Sequence, residues 1–111
     1  MALLKNIKYP NGTESNYHRI HEISLMHSPY VKYVSTEDGV VKEYIDDNYT
    51  LNITVRSYVS RNIRMENEEN YLEVRIIITN GTSAMVEGSN IMALGYQMVK
   101  EDPEFMYSED V

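Results

Sequence analysis

The stretch Thr50–Val59, "TLNITVRSYV", alternates along its length. Leu51, Ile53, Val55, Ser57 and Val59 fall on one side, and Asn52, Thr54, Arg56 and Tyr58 on the other. A period of two, with Val, Ile and Thr prominent, marks a strand with one buried face. Residues 71–79, "YLEVRIIIT", repeat the pattern, and we expect Leu72, Val74, Ile76 and Ile78 to point inward. Between the two, "SRNIRMENEEN" is polar and charged, and reads as a loop or a short helical turn.

Upstream, "YVKYVS" and "VVKEYI" flank "TEDG", which reads as a hairpin turning at Asp38-Gly39. Before it lies "NYHRIHEISL", residues 16–25, with two of the three histidines. On a helix His18, His21 and Glu22 would share one side, as a metal site requires. On a strand His18 and His21 oppose each other, and His18 and Glu22 stand roughly 13 Å apart at about 3.3 Å per residue. Neither period is clean here, but no i, i+3, i+4, i+7 stripe exists, so we read a strand whose polar residues belong to an exposed or interfacial face. His27, beside Ser28-Pro29, reads as a loop residue. At the N-terminus a short apolar segment ends at "PNGT", a run of turn formers.

The period changes near the C-terminus. In "SNIMALGYQMVKED", Ile91, Leu94 and Met98 lie beside Met92, Tyr96 and Val99 in one broad apolar stripe, which suits a helix laid across a sheet. Ser89 is the expected N-cap and Pro103 the stop. Gly95, inside the stripe, costs a helix about 1 kcal/mol against Ala, which points to close packing there. Phe105 and Met106 of the tail should fold back onto the domain. The fold class is α+β: a mostly antiparallel sheet with one C-terminal helix packed on it. With 111 residues the chain makes a single domain, 1–111, in which 30–47 could be an inserted hairpin.

Composition removes several kinds of chemistry. There is no cysteine, hence no disulfide, thiol catalysis or cysteine-zinc site. The net charge of −7 disfavours direct contact with nucleic-acid phosphates. Apolar runs are too short for a membrane span, and the start carries no secretory h-region, so a cytosolic origin is expected. No phosphate-binding loop, nucleophile elbow or H-E-x-x-H motif occurs. We therefore expect no enzyme activity, no catalytic residues, no metal and no cofactor.

What the chain does offer is tyrosine, ten of them against one Phe and no Trp. Tyr suits faces covered by a partner. Arg56, Arg61 and Arg64 could anchor carboxylates across such an interface, though ordinary solvated surface is the plainer reading of them. The expected contact residues are Tyr17, Arg19, Arg56, Tyr58 and Arg61, because they alternate with the core positions.

Three stretches together, "MALLKNI…NG…NYHRIHEI", "VRSYVSRNIR" and "GYQMVKEDPEF…EDV", resemble a family of short phage and prophage proteins encoded among tail and baseplate genes. The resemblance covers about half the chain and leaves out the 30–47 hairpin. It implies a non-enzymatic virion component, made in the bacterial host cytoplasm and acting through contacts with other phage structural proteins or with its own copies as a homo-oligomer. The family supplies no catalytic residues. The alternative is an acidic inhibitor that mimics DNA and blocks a host defence nuclease.

Overall fold

The computed structural model describes residues 1–27, 30–35, 37, 39–46, 48–88 and 90–111, without the side chains at 30–32, 34, 42 and 44–46. In chain order the elements are β1 (Leu3–Lys8), β2 (Glu14–His27), β3 (Tyr30–Ser35), β4 (Val41–Asp46), β5 (Asn48–Tyr58), α1 (Arg61–Glu66), β6 (Glu73–Thr82), α2 (Ser83–Glu87), α3 (Ile91–Glu101) and β7 (Glu109–Asp110). Five strands form one antiparallel sheet in the order β6-β5-β2-β1-β7. The fold is α+β with a mostly antiparallel sheet, and α3 lies against β2.

β1 and β2 are joined at "PNGT". There Gly12 adopts φ +88° and donates its N–H to the Tyr9 carbonyl at 3.0 Å, while the Asn11 side chain accepts from Thr13. Only glycine takes that backbone angle without strain.

β2 contains one residue too many. Tyr17 pairs with Tyr58 and Ile20 with Val55, but beyond His21 the register has shifted, so that Glu22 faces Thr54 and Ile23 faces Ile53. His21 is the extra residue of a β-bulge, and it reverses the parity of the strand. His18 and Ile20 point into the core before it, and Ile23 after it. This is why neither period was clean in "NYHRIHEISL".

Leu51, Ile53 and Val55 of β5 supply the centre of the core, as their alternation predicts. Full burial is worth about 1.5–3 kcal/mol for each such side chain. Leu94, Tyr96, Met98 and Val99 of α3 meet them from above, with Leu3 of β1 and Phe105 of the tail. Asn90 caps α3, its side-chain oxygen accepting from the N–H groups of Met92 and Ala93. Ser89, the expected cap, lies outside the described residues. Asp102 ends the helix immediately before Pro103.

Several expectations need correction. Leu72, Val74, Ile76 and Ile78 point outward, and the inward face of β6 is Arg75, Ile77, Thr79 and Gly81. Those inward residues pair with Val55, Ile53, Leu51 and Tyr49 of the core strand, which leaves no choice of face. Arg75 can sit there because Asp102 and Glu104, at the end of α3, hold its guanidinium at 3.2 and 2.7 Å. Val59 is exposed, not inward. His27 is no loop residue: it ends β2, pairs with Tyr49 and stacks on that ring at 4.2 Å between centroids. A short helix, α2, was not expected, whereas α1 is the short helical turn allowed for "SRNIRMENEEN". Of the tail, Phe105 is buried and Met106 is not.

β3 and β4 are the expected hairpin, with Gly39 at φ +76° near its tip; Asp38 lies outside the described residues. Their pairing continues the offset of the outer part of β2–β5: His27 faces Tyr49, and Tyr30 faces Asp46. β3 and β4 form a two-stranded sheet of their own. The chain measures 59 × 27 × 20 Å, with a radius of gyration of 18.1 Å. A compact domain of this length would have about 13 Å.

Gly95 is where α3 comes closest to the sheet. A Cβ there would stand 2.5 Å from Ile23 Cδ1 and 3.1 Å from Ile20 Cδ1, the two isoleucines that flank the bulge. Ala would push one flexible methyl aside while regaining about 1 kcal/mol of helix propensity, so the two effects offset each other. A branched side chain has no such escape. Gly95→Val should destabilise the fold by about 3 kcal/mol in chemical denaturation, with Gly95→Ala within about 1 kcal/mol of the parent.

Candidate functional site: an arginine groove beside the bulge

The bulge that turns Ile20 and Ile23 inward leaves Arg19 and His21 at the rim of a groove. Arg56 and Tyr58 of β5, Arg64 of α1 and Tyr96 of α3 complete it, with Met1, Met92 and Glu68 also lining it; this half-open groove has a volume of about 420 Å³. Arg19 and Arg56 are direct cross-strand partners. Like charges placed opposite each other destabilise a sheet. Arg64 brings a third guanidinium into the same space.

Counter-charge is incomplete. Arg56 meets Glu69 at 3.5 Å and lies 4.6 Å over the Tyr71 ring. Burial disfavours its charge, but Glu69 and the nearby Tyr58 and Tyr71 more than restore it, holding the guanidinium above its usual range. Arg64 meets Glu68 one turn on, at 3.5 Å, while its Nε is buried with no hydrogen-bond partner. Arg19 has no ion pair among the described residues. Guanidinium groups are planar forks suited to carboxylate or phosphate oxygens, so the groove is built to accept an anion.

The walls are held rigidly. Tyr96 donates its hydroxyl proton to the Met1 carbonyl at 2.8 Å and accepts from the Ile20 N–H at 3.0 Å. Next to a bulge the ladder is disrupted, and the phenol takes up the donor that β5 does not. Burial raises the Tyr96 hydroxyl above its ordinary pKa, against the opposing effect of the Ile20 N–H, so it remains protonated. Tyr58 donates to the Glu68 carbonyl at 2.6 Å, tying the loop after α1 to the sheet.

Three of the five expected contact residues, Arg19, Arg56 and Tyr58, therefore line one groove. Tyr58 contributes mostly its edge, being only 2% exposed. Tyr17 is 4% exposed and packs with Tyr58, Ala2 and Leu4 in a small second core, which corrects its reading as a contact residue. Arg61 is exposed on α1, outside the groove. The expectation missed His21 and Tyr96. The irregular period around His21 was the available sign of the first; nothing local marked the second.

His18 is also corrected. It is 0% exposed, and Ser57, whose Oγ lies 2.8 Å from its Nδ1, is 3% exposed. Its Nε2 lies 2.7 Å from the Lys5 carbonyl, at an irregularity in β1. A carbonyl can only accept, so Nε2 carries the proton and Nδ1 accepts from the Ser57 hydroxyl. Phe105 closes the pair off, edge against ring at 5.1 Å. The two residues satisfy each other inside the core and have no access to a substrate. Among the described residues no group of three or more His, Asp or Glu is arranged to hold a metal, and no helix is long and apolar enough to cross a membrane.

No protein-family model matches the chain, and neither does any curated protein or solved structure.

Burial lowers the His18 pKa, only partly countered by its bond to the Lys5 carbonyl. An unfolded histidine titrates near 6.5, so between that value and the lower folded one the unfolded chain binds more protons. Stability is therefore fully present above about pH 6.5, falls as the pH drops below it, and levels off beneath the folded value. Denaturant midpoints should decline from pH 7.5 to 5.5 in the parent, and His18→Gln should flatten that decline.

Proposed function

We propose that this protein is a non-enzymatic subunit of a bacteriophage particle, placed among tail or baseplate proteins, and that its arginine groove grips an acidic segment of a neighbouring protein. The observation that carries the grip is the convergence of Arg19, Arg56 and Arg64, two of them directly opposed, in a chain of net charge −7. Such a pairing weakens the free protein and is offset when an anion bridges it. The surrounding field repels an extended polyanion, whereas a single carboxylate side chain fits between the guanidinium groups. Placement in the particle rests on the three stretches that resemble phage tail and baseplate proteins.

The alternative of a DNA mimic draws on the same net charge. Carboxylates in regular, unopposed rows would support it. Here Glu14, Glu68, Glu69, Asp102, Glu104 and Asp110 are each paired with a lysine or arginine. We therefore favour the structural role.

Two measurements test the reading. Purified particles should contain the protein at a fixed whole-number copy count; recovery from lysate alone, never from particles, overturns the placement. Arg19→Gln should leave the isolated protein as stable as the parent or more so, by about 0.5 kcal/mol, because it removes a like-charge pair. The same change should strongly reduce incorporation into particles. Unchanged incorporation would remove the groove from the account.

A further inference from the structure

β6 is an edge of the sheet, and on its open face Val74, Ile76 and Ile78 form an apolar row, with Leu72 just before the strand and Asn80 and Thr82 at its end. Ile76 and Ile78 are 60% and 68% exposed, Leu72 and Val74 42% and 41%. Their neighbours on β5, across the same face, are Asn52, Thr54 and Arg56. A sheet face meant for solvent would place its apolar residues on the inner strand and its polar ones at the margin. This face does the reverse.

The edge is lightly guarded. Natural edge strands carry lysine, proline, a bulge, inward-pointing charges or very short length to prevent pairing with another chain, and of these β6 has only the inward Glu73 and Arg75. β6 runs for ten residues in one unbroken register with β5, and has neither Pro nor Lys. In an antiparallel ladder half of its backbone N–H and C=O groups face away from β5. The opposite edge of the sheet shows what protection looks like: β7 is two residues long, both acidic, with Lys5 and Lys8 of β1 beyond it.

The geometry points to a second copy of this chain as the occupant, paired with β6 antiparallel about a two-fold axis at Ile76. That register sets Ile76 against Ile76, Val74 against Ile78 and Leu72 against Asn80. On the helix-covered face Arg75 meets Ile77 and Glu73 meets Thr79, so no like charges stand opposite each other. Glu73 and Arg75 are the strand's only charges, and they cancel. Asp102 and Glu104, which hold Arg75 from the end of α3, leave some acidic charge beside the strand, which weakens the self-pairing without opposing like charges within the ladder. The result is a continuous sheet of both copies, each contributing five strands, with both α3 helices on one side and a doubled apolar row at the centre of the other. A contact confined to one strand edge is small beside the interfaces of obligate dimers, so a reversible dimer is expected. The arginine groove plays no part in this contact.

Sedimentation velocity over a concentration series tests it. The parent should pass from monomer to dimer, and Ile76→Lys, which sets two ammonium groups against each other on the axis, should weaken the dimer at least 100-fold. Met26→Lys, exposed on the same face of β2, should leave the dimer unchanged. Hydrogen exchange on the parent gives a reading that needs no variant: alternate β6 amides should gain protection as concentration rises. A monomer at every concentration, a dimer indifferent to Ile76→Lys, or β6 amides that exchange independently of concentration would each overturn the assignment.

Discussion

One inserted residue in β2 governs the architecture. With His21 bulged out of the ladder, the strand presents Ile20 and Ile23 to the same side, and α3 approaches until Gly95 touches both. The amide that the bulge takes from the ladder is satisfied by Tyr96, one residue further along that helix. The same kink leaves Arg19 and His21 at the rim of the groove. Helix docking, the fastening of the N-terminal segment through the Met1 carbonyl, and the candidate site thus have a common origin.

Ion pairs in the groove and elsewhere on the surface are alike in kind: Lys8 meets Glu14, Lys100 meets Asp110, Arg75 meets Asp102 and Glu104, Arg56 meets Glu69 and Arg64 meets Glu68. Exposed pairs of this kind contribute little to stability, about 0–1 kcal/mol each. What distinguishes the groove is a third guanidinium, Arg19, which stands opposite Arg56 with no ion pair among the described residues. Two arginines set against each other carry a cost in the free state, and a binding partner can relieve it.

Much of this fold was legible in the sequence, because strand alternation is a local signal. Residues 50–57 announced both their conformation and their buried face, and the C-terminal stripe announced its helix. For residues 71–79 alternation showed which side chains share a face but not which face meets the helix. That was fixed by register with β5, a long-range fact, and the more apolar side turned out to be the outer one. Of the candidate site, Arg19 and Arg56 were readable as outward positions, whereas Tyr58, read as outward, is buried with Tyr17 in the second core. The convergence of the two arginines with Arg64 and Tyr96 depends on α1 and α3 folding over one end of the sheet, which no spacing along the chain encodes. Tyr17 misled for the related reason that Ala2 and Leu4 cover it.

The place of β2 and β5 in the sheet has a mechanical consequence. Both lie in its middle, flanked by β1 and β6. A force along these strands loads their ladders in shear, where many hydrogen bonds share the load at once. A force across them would open bonds one after another and meet far less resistance. The sheet is therefore strong along its strands and compliant across them.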